Sequence, residues 1–342
     1  MENKNVNIDS FLKYLKSPLL MSWDITNRCN MNCKHCLNRS NDTNIHSYND
    51  ELTEEEIDNV IEQIIEIKPF AICICGGEPT LSPHLFNIIK RISSTGIDVN
   101  MVSNGYIIDS EFAKKLKKSG LKFIQISVDG INAQTHDSFR QTPQAFDRAI
   151  NAIKNLLDNG LLVATSFCPN KSNIHQFDKY VDFIASLGCN EVRVMPLMPM
   201  GRAFDEFEKL EPSPEEYLKL AHIVARKKLQ YSQSLFEIEF GDPLEHIYIA
   251  THGGRKEAIS MEIKSNGDIG VSPYLPITVG NVKKHKLQEY WDNGYNKIWG
   301  HPTVNNLAQK IHTLEDFKNI NLRTWSIERQ TFDLLEEEFI CK

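Results

Sequence analysis

Three cysteines crowd into one short segment, Cys29-Asn-Met-Asn-Cys33-Lys-His-Cys36. Thiolates are the usual ligands of iron–sulfur clusters, and three on one loop can hold three irons of a cubane. The fourth iron then has no protein ligand, which is what a cluster needs to bind and react with a small molecule. The same cysteines with His35 or His46 could instead make a Cys3His zinc set, and the segment alone leaves both chemistries open. A second group is Gly76-Gly77-Glu78-Pro79. Its glycines let the backbone turn tightly and approach a ligand, and Glu78 offers a carboxylate to a cation. A third is Ile126-Ser127-Val128-Asp129-Gly130, with Arg140 soon after. Either of these two, taken alone, reads as an ordinary strand-ending turn.

Something regular must hold these groups together. β-rich apolar runs predict strands at 19–26, 70–75, 97–102, 122–128, 161–167 and 191–195. Between them lie helix signals: a capping box of Thr53 with Glu56 opening a helix to about 67, then stretches at 82–94, 109–120, 143–158 and 173–186. The three chemical groups fall at the C-terminal ends of the first, second and fourth strands, the face that carries active sites in parallel α/β folds. Six βα repeats predict an α/β protein, a partial (β/α)6 TIM-like barrel with a small α+β C-terminal extension. A doubly wound sheet is the alternative. The expected boundaries are 1–18 for an N-terminal extension, 19–212 for the barrel core and 213–342 for the C-terminal extension. Past residue 200 the rhythm changes. Pro196, Pro199, Pro212 and Pro214 punctuate a linker. A helix at 214–231, a strand near 236–240, a hairpin around Ser265-Asn266-Gly267-Asp268 and a helix near the end follow.

Composition narrows the partners. The formal net charge is −7, where a nucleic-acid binder would be basic, so no nucleic-acid partner is expected. Apolar runs are strand-sized and residues 1–18 lack an apolar signal core, so neither membrane nor secretion is expected. That points to the cytoplasm, where thiols stay reduced, and eight cysteines in this length are no disulfide scaffold.

In this order and at these strand ends, the motifs resemble the radical S-adenosylmethionine (radical SAM) superfamily, with its CxxxCxxC loop after the first strand and GGE motif after the second. The resemblance covers about residues 19–200. The text NRCNMNCKHC, ending at Cys36, and ISVDG, ending at Gly130, look especially like the SPASM-associated branch, which includes maturases of peptides or proteins and enzymes of cofactor assembly. The resemblance implies that Cys29, Cys33 and Cys36 ligate one 4Fe–4S cluster and that S-adenosylmethionine (SAM) chelates the open iron. It implies contacts to SAM from Gly76, Gly77 and Glu78 at the methionyl amine, from Ser127 at the ribose or carboxylate region, and from Arg140 at the carboxylate. His35 and Met195 would flank adenine, and Ser103 with Asn104 matches a polar position after the third strand. The reduced cluster would cleave SAM to a 5′-deoxyadenosyl radical that takes a hydrogen atom from the substrate. The substrate would be a ribosomally made peptide or, alternatively, a small molecule such as a haem precursor or sugar. The electron donor would be of flavodoxin or ferredoxin type. A non-catalytic zinc or cluster module remains the reading from a different class.

The tail departs from that branch. Pro273-Tyr274 stands where Pro-Cys is typical, and past Cys189 only Cys341 remains, so no auxiliary cluster is expected. Cys73 and Cys75 share one strand face by period-2 alternation and read as small buried hydrophobes. Cys168, at the end of the fifth strand, is the candidate hydrogen donor to a substrate radical. Asn170 and Asn173 match a recurring Asn pattern, and Gly201-Arg202-Ala203 a motif past the sixth strand.

Overall fold

The computed structural model describes residues 12–43, 47–319 and 330–336. His46 and Cys341 lie outside the described residues. The chain builds the predicted alternation. β1 (Leu20–Asp24), β2 (Ala71–Cys75), β3 (Asp98–Ser103), β4 (Phe123–Ser127), β5 (Leu162–Phe167) and β6 (Glu191–Val194) pair in parallel in sequence order. Between them run α1 (Glu54–Ile67), α2 (Leu85–Ser93), α3 (Ser110–Lys118), α4 (Ala133–Arg140), α5 (Ala145–Asp158) and α6 (Phe177–Ser186). The capping box at Thr53 and Glu56 forms as read, each side chain bonding the other residue's backbone N–H.

Strand alternation decides what each face does. Ile72, Ile74, Val99, Met101, Ile124, Ile126, Val163 and Val192 are buried and pack into the core with α1, α2, α5 and α6. The alternate positions form a second, open face: Ser22, Cys73, Asn100, Gln125, Ser127, Ser166 and Arg193 are only partly buried. A sheet with one greasy and one polar face is what period-2 patterning produces when helices cover one side.

The sheet does not stop at six strands. α7 (Gly201–Leu210) and α8 (Pro214–Gln230) lead to β7 (Glu237–Phe240), which pairs in parallel with β6. The strand expected near 236–240 thus extends the barrel sheet. α9 (Glu245–His252) leads to the opposite edge. There β8 (Ser260–Ile263) lies parallel to β1 and antiparallel to β9 (Asp268–Gly270), the predicted hairpin at Ser265–Asp268. β10 (Ile277–Asn281), α10 (Leu287–Asp292), α11 (Pro302–Ala308), α12 (Leu314–Asn319) and β11 (Gln330–Thr331) complete it. Among the described residues the result is one open sheet of eleven strands, β11-β10-β9-β8-β1-β2-β3-β4-β5-β6-β7.

Several helices lie outside the sequence expectation, among them α4, α7 and α9. α4 gives no helix signal because its buried side chains are Thr135, His136, Phe139 and Arg140, which make no apolar stripe. α7 fills the stretch read as linker, between Pro199 and Pro212. Among the described residues, no helix is long and apolar enough to cross a membrane.

Candidate active site

The loop after β1 is held at both ends. At its start, Gly77 N–H donates to the Thr26 carbonyl at 2.7 Å and Glu78 N–H to the Arg28 carbonyl at 2.8 Å. The β1–β2 pairing therefore continues past the strand ends. It needs both glycines. A side chain at Gly76, whose φ is +141°, would strike the Thr26 carbonyl, and one at Gly77 would come within 2.7 Å of the Asn27 carbonyl oxygen. Farther along, Lys34 N–H donates to the Phe139 carbonyl at 3.0 Å. Arg202 reaches in from α7, its Nε to the Cys33 carbonyl at 2.8 Å and its Nη1 to the Ser40 carbonyl at 2.9 Å. The Arg202 N–H meets the Cys36 carbonyl at 3.0 Å.

So fixed, Cys29, Cys33 and Cys36 line a single cleft with Gly76, Gly77, Glu78, Ser103, Asn104, Ser127, Arg140 and His35. The buried Glu78 carboxylate accepts from Thr80 N–H at 3.1 Å, Thr80 Oγ1 at 2.6 Å, Ser103 Oγ at 2.8 Å and Asn104 N–H at 2.7 Å. Those bonds tie the end of β2 to the end of β3. Burial still pushes the Glu78 carboxyl above its ordinary range. Asn104 Nδ2 donates to Asn30 Oδ1 at 2.7 Å, joining that shelf to the cysteine loop.

Arg140 connects a third strand end. Its Nε donates to Asp129 Oδ2 at 2.6 Å, both side chains being buried, and its Nη1 lies 3.8 Å from Cys33 Sγ. Asp129 Oδ1 accepts from Cys168 N–H at 2.8 Å, and Asp129 N–H donates to His136 Nδ1 at 2.9 Å. The sequence alone assigns Asp129 no role, although its place in the Ile126–Gly130 motif with Arg140 downstream is the signal. Asn173 Nδ2 donates to the Asp129 and Cys168 carbonyls at 3.0 and 2.9 Å, so the Asn pattern builds loops.

Eleven of the thirteen expected site residues thus meet in one cleft; Cys168 and Met195 do not line it. Cys168 lies in an apolar cluster with Phe139, Leu197, Ala203, Phe207 and Leu210. Met195 packs toward Gly241 at the β6–β7 ends.

The donor set fits an iron–sulfur cluster. Three thiols of one loop share the cleft with no fourth cysteine among its lining residues, as a cubane with one iron free of protein ligands requires. Burial pushes the Cys29 thiol up to about 12 and raises Cys33 as well. His35 stacks on Phe139 with ring centroids 4.2 Å apart, and its buried Nδ1 has no hydrogen-bond partner. An orphaned polar atom lining a cleft of thiols and backbone fits a second, polar ligand beside the metal.

Residues 23–184 match the model of the Radical SAM superfamily. The chain is 28% identical over 298 residues to the AdoMet-dependent heme synthase of Methanosarcina barkeri (strain Fusaro / DSM 804), spanning 81% of this chain and 83% of that one. It is 27% identical over 301 residues to the mycofactocin maturase MftC of Mycolicibacterium smegmatis, spanning 86% of this chain and 73% of that one. Among solved structures, Streptococcus suis SuiB bound to S-adenosylmethionine superposes with a TM-score of 0.69 at 16% identity, over 94% of this chain and 79% of that one. At that identity the likeness is one of fold.

Proposed function

The chain belongs to the Radical SAM superfamily, and from that premise we propose that Cys29, Cys33 and Cys36 hold its cluster for radical chemistry on a peptide. The cofactors are a 4Fe–4S cluster and S-adenosylmethionine. When bound and reduced by a flavodoxin- or ferredoxin-type donor, they supply a 5′-deoxyadenosyl radical able to take a hydrogen atom from the substrate. The protein's part is to hold and orient. Arg202 and the Gly76-Gly77 backbone fix the cysteine loop. Glu78, Ser103 and Asn104 present a preorganised polar shelf for the amine of SAM. Ser127 faces its ribose or carboxylate region. Arg140, held by Asp129, offers its remaining guanidinium edge to the carboxylate. His35 supplies a flat ring beside the adenine. Met195 would act only from behind the cleft, and Cys168 as hydrogen donor only from its apolar cluster.

One observation carries the reading: three thiols of one loop share a cleft with that shelf. After anaerobic reconstitution and addition of dithionite and SAM, 5′-deoxyadenosine is the expected product. Cys33→Ala should lose both the cluster absorbance and that product while keeping its helical circular dichroism. SAM cleavage surviving in Cys33→Ala would end the assignment.

The peptide reading is preferred over the haem-precursor reading that the heme synthase relative favours. On the open face Arg193 is paired with Glu191 and Glu239, and Lys264 with Asp24 and Glu262. Those pairs set four carboxylates against two cations, which disfavours a porphyrin rich in carboxylates there. A saturable Soret shift on titration with iron coproporphyrin III would favour the haem reading instead.

A further inference from the structure

Cys73 and Cys75 belong to none of the groups above. β2 alternates Ile72 and Ile74, both fully buried, with Cys73 and Cys75, which stand partly exposed on the open face. Cysteines acting as small hydrophobes belong with the isoleucines. These two sit instead in a polar row, Cys75 opposite Asp24 on β1 and Cys73 opposite Asn100 on β3. Cys75 Sγ stands 3.5 Å from Cys73 Sγ and donates toward it. The row ends beside the cysteine cleft, which neither Cys73 nor Cys75 itself lines. Ile74 pairs with Met101, both on the covered face, so Cys75 and Val102 share the open face. Val102 and Ser127 line the cleft, as do Gly76 and Gly77, which directly follow Cys75.

We propose that Cys73 and Cys75 are a redox-active dithiol that gives a hydrogen atom to a carbon radical formed on this face and closes to a disulfide. This rests on the radical reading above. The Cys75 S–H bond breaks as the substrate's C–H bond forms. The Cys75 thiyl then bonds Cys73, whose thiol gives up its proton to solvent. The resulting radical anion loses one electron to a one-electron acceptor, for which the oxidised iron–sulfur cluster qualifies, and leaves the Cys73–Cys75 disulfide. Substrate radical and two thiols thus become reduced substrate, disulfide, one proton and one electron. An external dithiol resets the pair.

The electrostatics agree with those roles. The hydrogen bond from Cys75 pulls Cys73 below the ordinary thiol range, with Arg193 assisting, against the opposing pull of burial. The same bond holds Cys75 well above that range, with burial, Asp24 and Glu262 adding. Strand geometry puts residues two apart at about 6.6 Å between Cα atoms, at the top of the range a disulfide spans. The closed form is therefore strained and easily reopened.

The test is thiol trapping on the reconstituted protein, equilibrated anaerobically across a series of reduced and oxidised glutathione, quenched in acid, alkylated and mapped by mass spectrometry. As the oxidised fraction rises, the peptide holding Cys73 and Cys75 should pass from doubly alkylated to unalkylated and two hydrogens lighter, then return with dithiothreitol. Cys168→Ser should show the same transition, and Cys75→Ser should leave Cys73 as a glutathione mixed disulfide. Both thiols staying alkylatable throughout, or the transition appearing only in urea, would overturn the dithiol. Wild-type protein that makes the disulfide but no 5′-deoxyadenosine from SAM and dithionite would overturn the radical premise, and the donor role with it, while the disulfide itself stands.

Discussion

The residue that organises the site without lining it is Asp129. It neutralises Arg140, fixes the Cys168 backbone and bonds His136, all from a fully buried position. Asp129→Asn keeps an acceptor for the Cys168 N–H but leaves the Arg140 charge without its counter-ion. Removing one partner of a buried ion pair costs about 3–5 kcal/mol, so the urea midpoint should fall accordingly; a loss below about 1 kcal/mol would contradict this role. His136 gives a pH signature. Burial, with help from Arg140, holds its imidazole down at about 3. As pH falls below about 6.5 the unfolded chain takes up a proton that the folded one refuses, so stability is lost toward acid at up to about 1.4 kcal/mol per pH unit. His136→Asn, with an oxygen able to accept the Asp129 N–H, should flatten the difference in urea midpoint between pH 7 and pH 5. An unchanged difference would place the acid sensitivity elsewhere. At this scale the cysteine spacing, the glycine pair and Arg140 were legible because residue type and strand-end position define them. Cys168 and Met195 lie outside the cleft lining, because which way a strand-end side chain points depends on the helices packed over it.

Among elements, α7 carries the most weight for its length. Gly201 opens it at φ +55°, with its backbone pressed against the Cys36 and Leu37 carbonyls, and Arg202 follows into the loop. Gly201→Ala adds strain of roughly 1–2 kcal/mol from the left-handed backbone and pushes the cysteine loop aside. Iron retained after reconstitution should drop severalfold while the far-ultraviolet circular dichroism stays near wild type. Full iron content in that variant would mean that α7 does not seat the loop. Local signals failed for α7 and α4 for different reasons. Prolines on both sides made α7 look like linker, and α4 turns Thr135, His136 and Arg140 toward the interior. A helix that buries polar groups for a site has no apolar period to read. β1 to β6 each had an apolar run between turn residues, so their order and direction could be read.

For the whole molecule, the C-terminal segments do more than follow the barrel. β8 borders β1, and Lys264 just beyond it bridges Asp24 and Glu262 at 3.2 and 2.6 Å, so the tail supplies part of the open face. The sequence at Ser265–Asp268 announced a hairpin but not its partner, because a parallel neighbour far along the chain leaves no local pattern. The radical chemistry proposed for this protein needs one cluster, held by three cysteines of the first loop. Iron, acid-labile sulfide and zinc per chain after anaerobic reconstitution test this most directly. About four irons with matching sulfide is the predicted result. About eight irons would require ligands for a second cluster, and zinc near one with little iron would contradict the radical reading and leave a structural metal module.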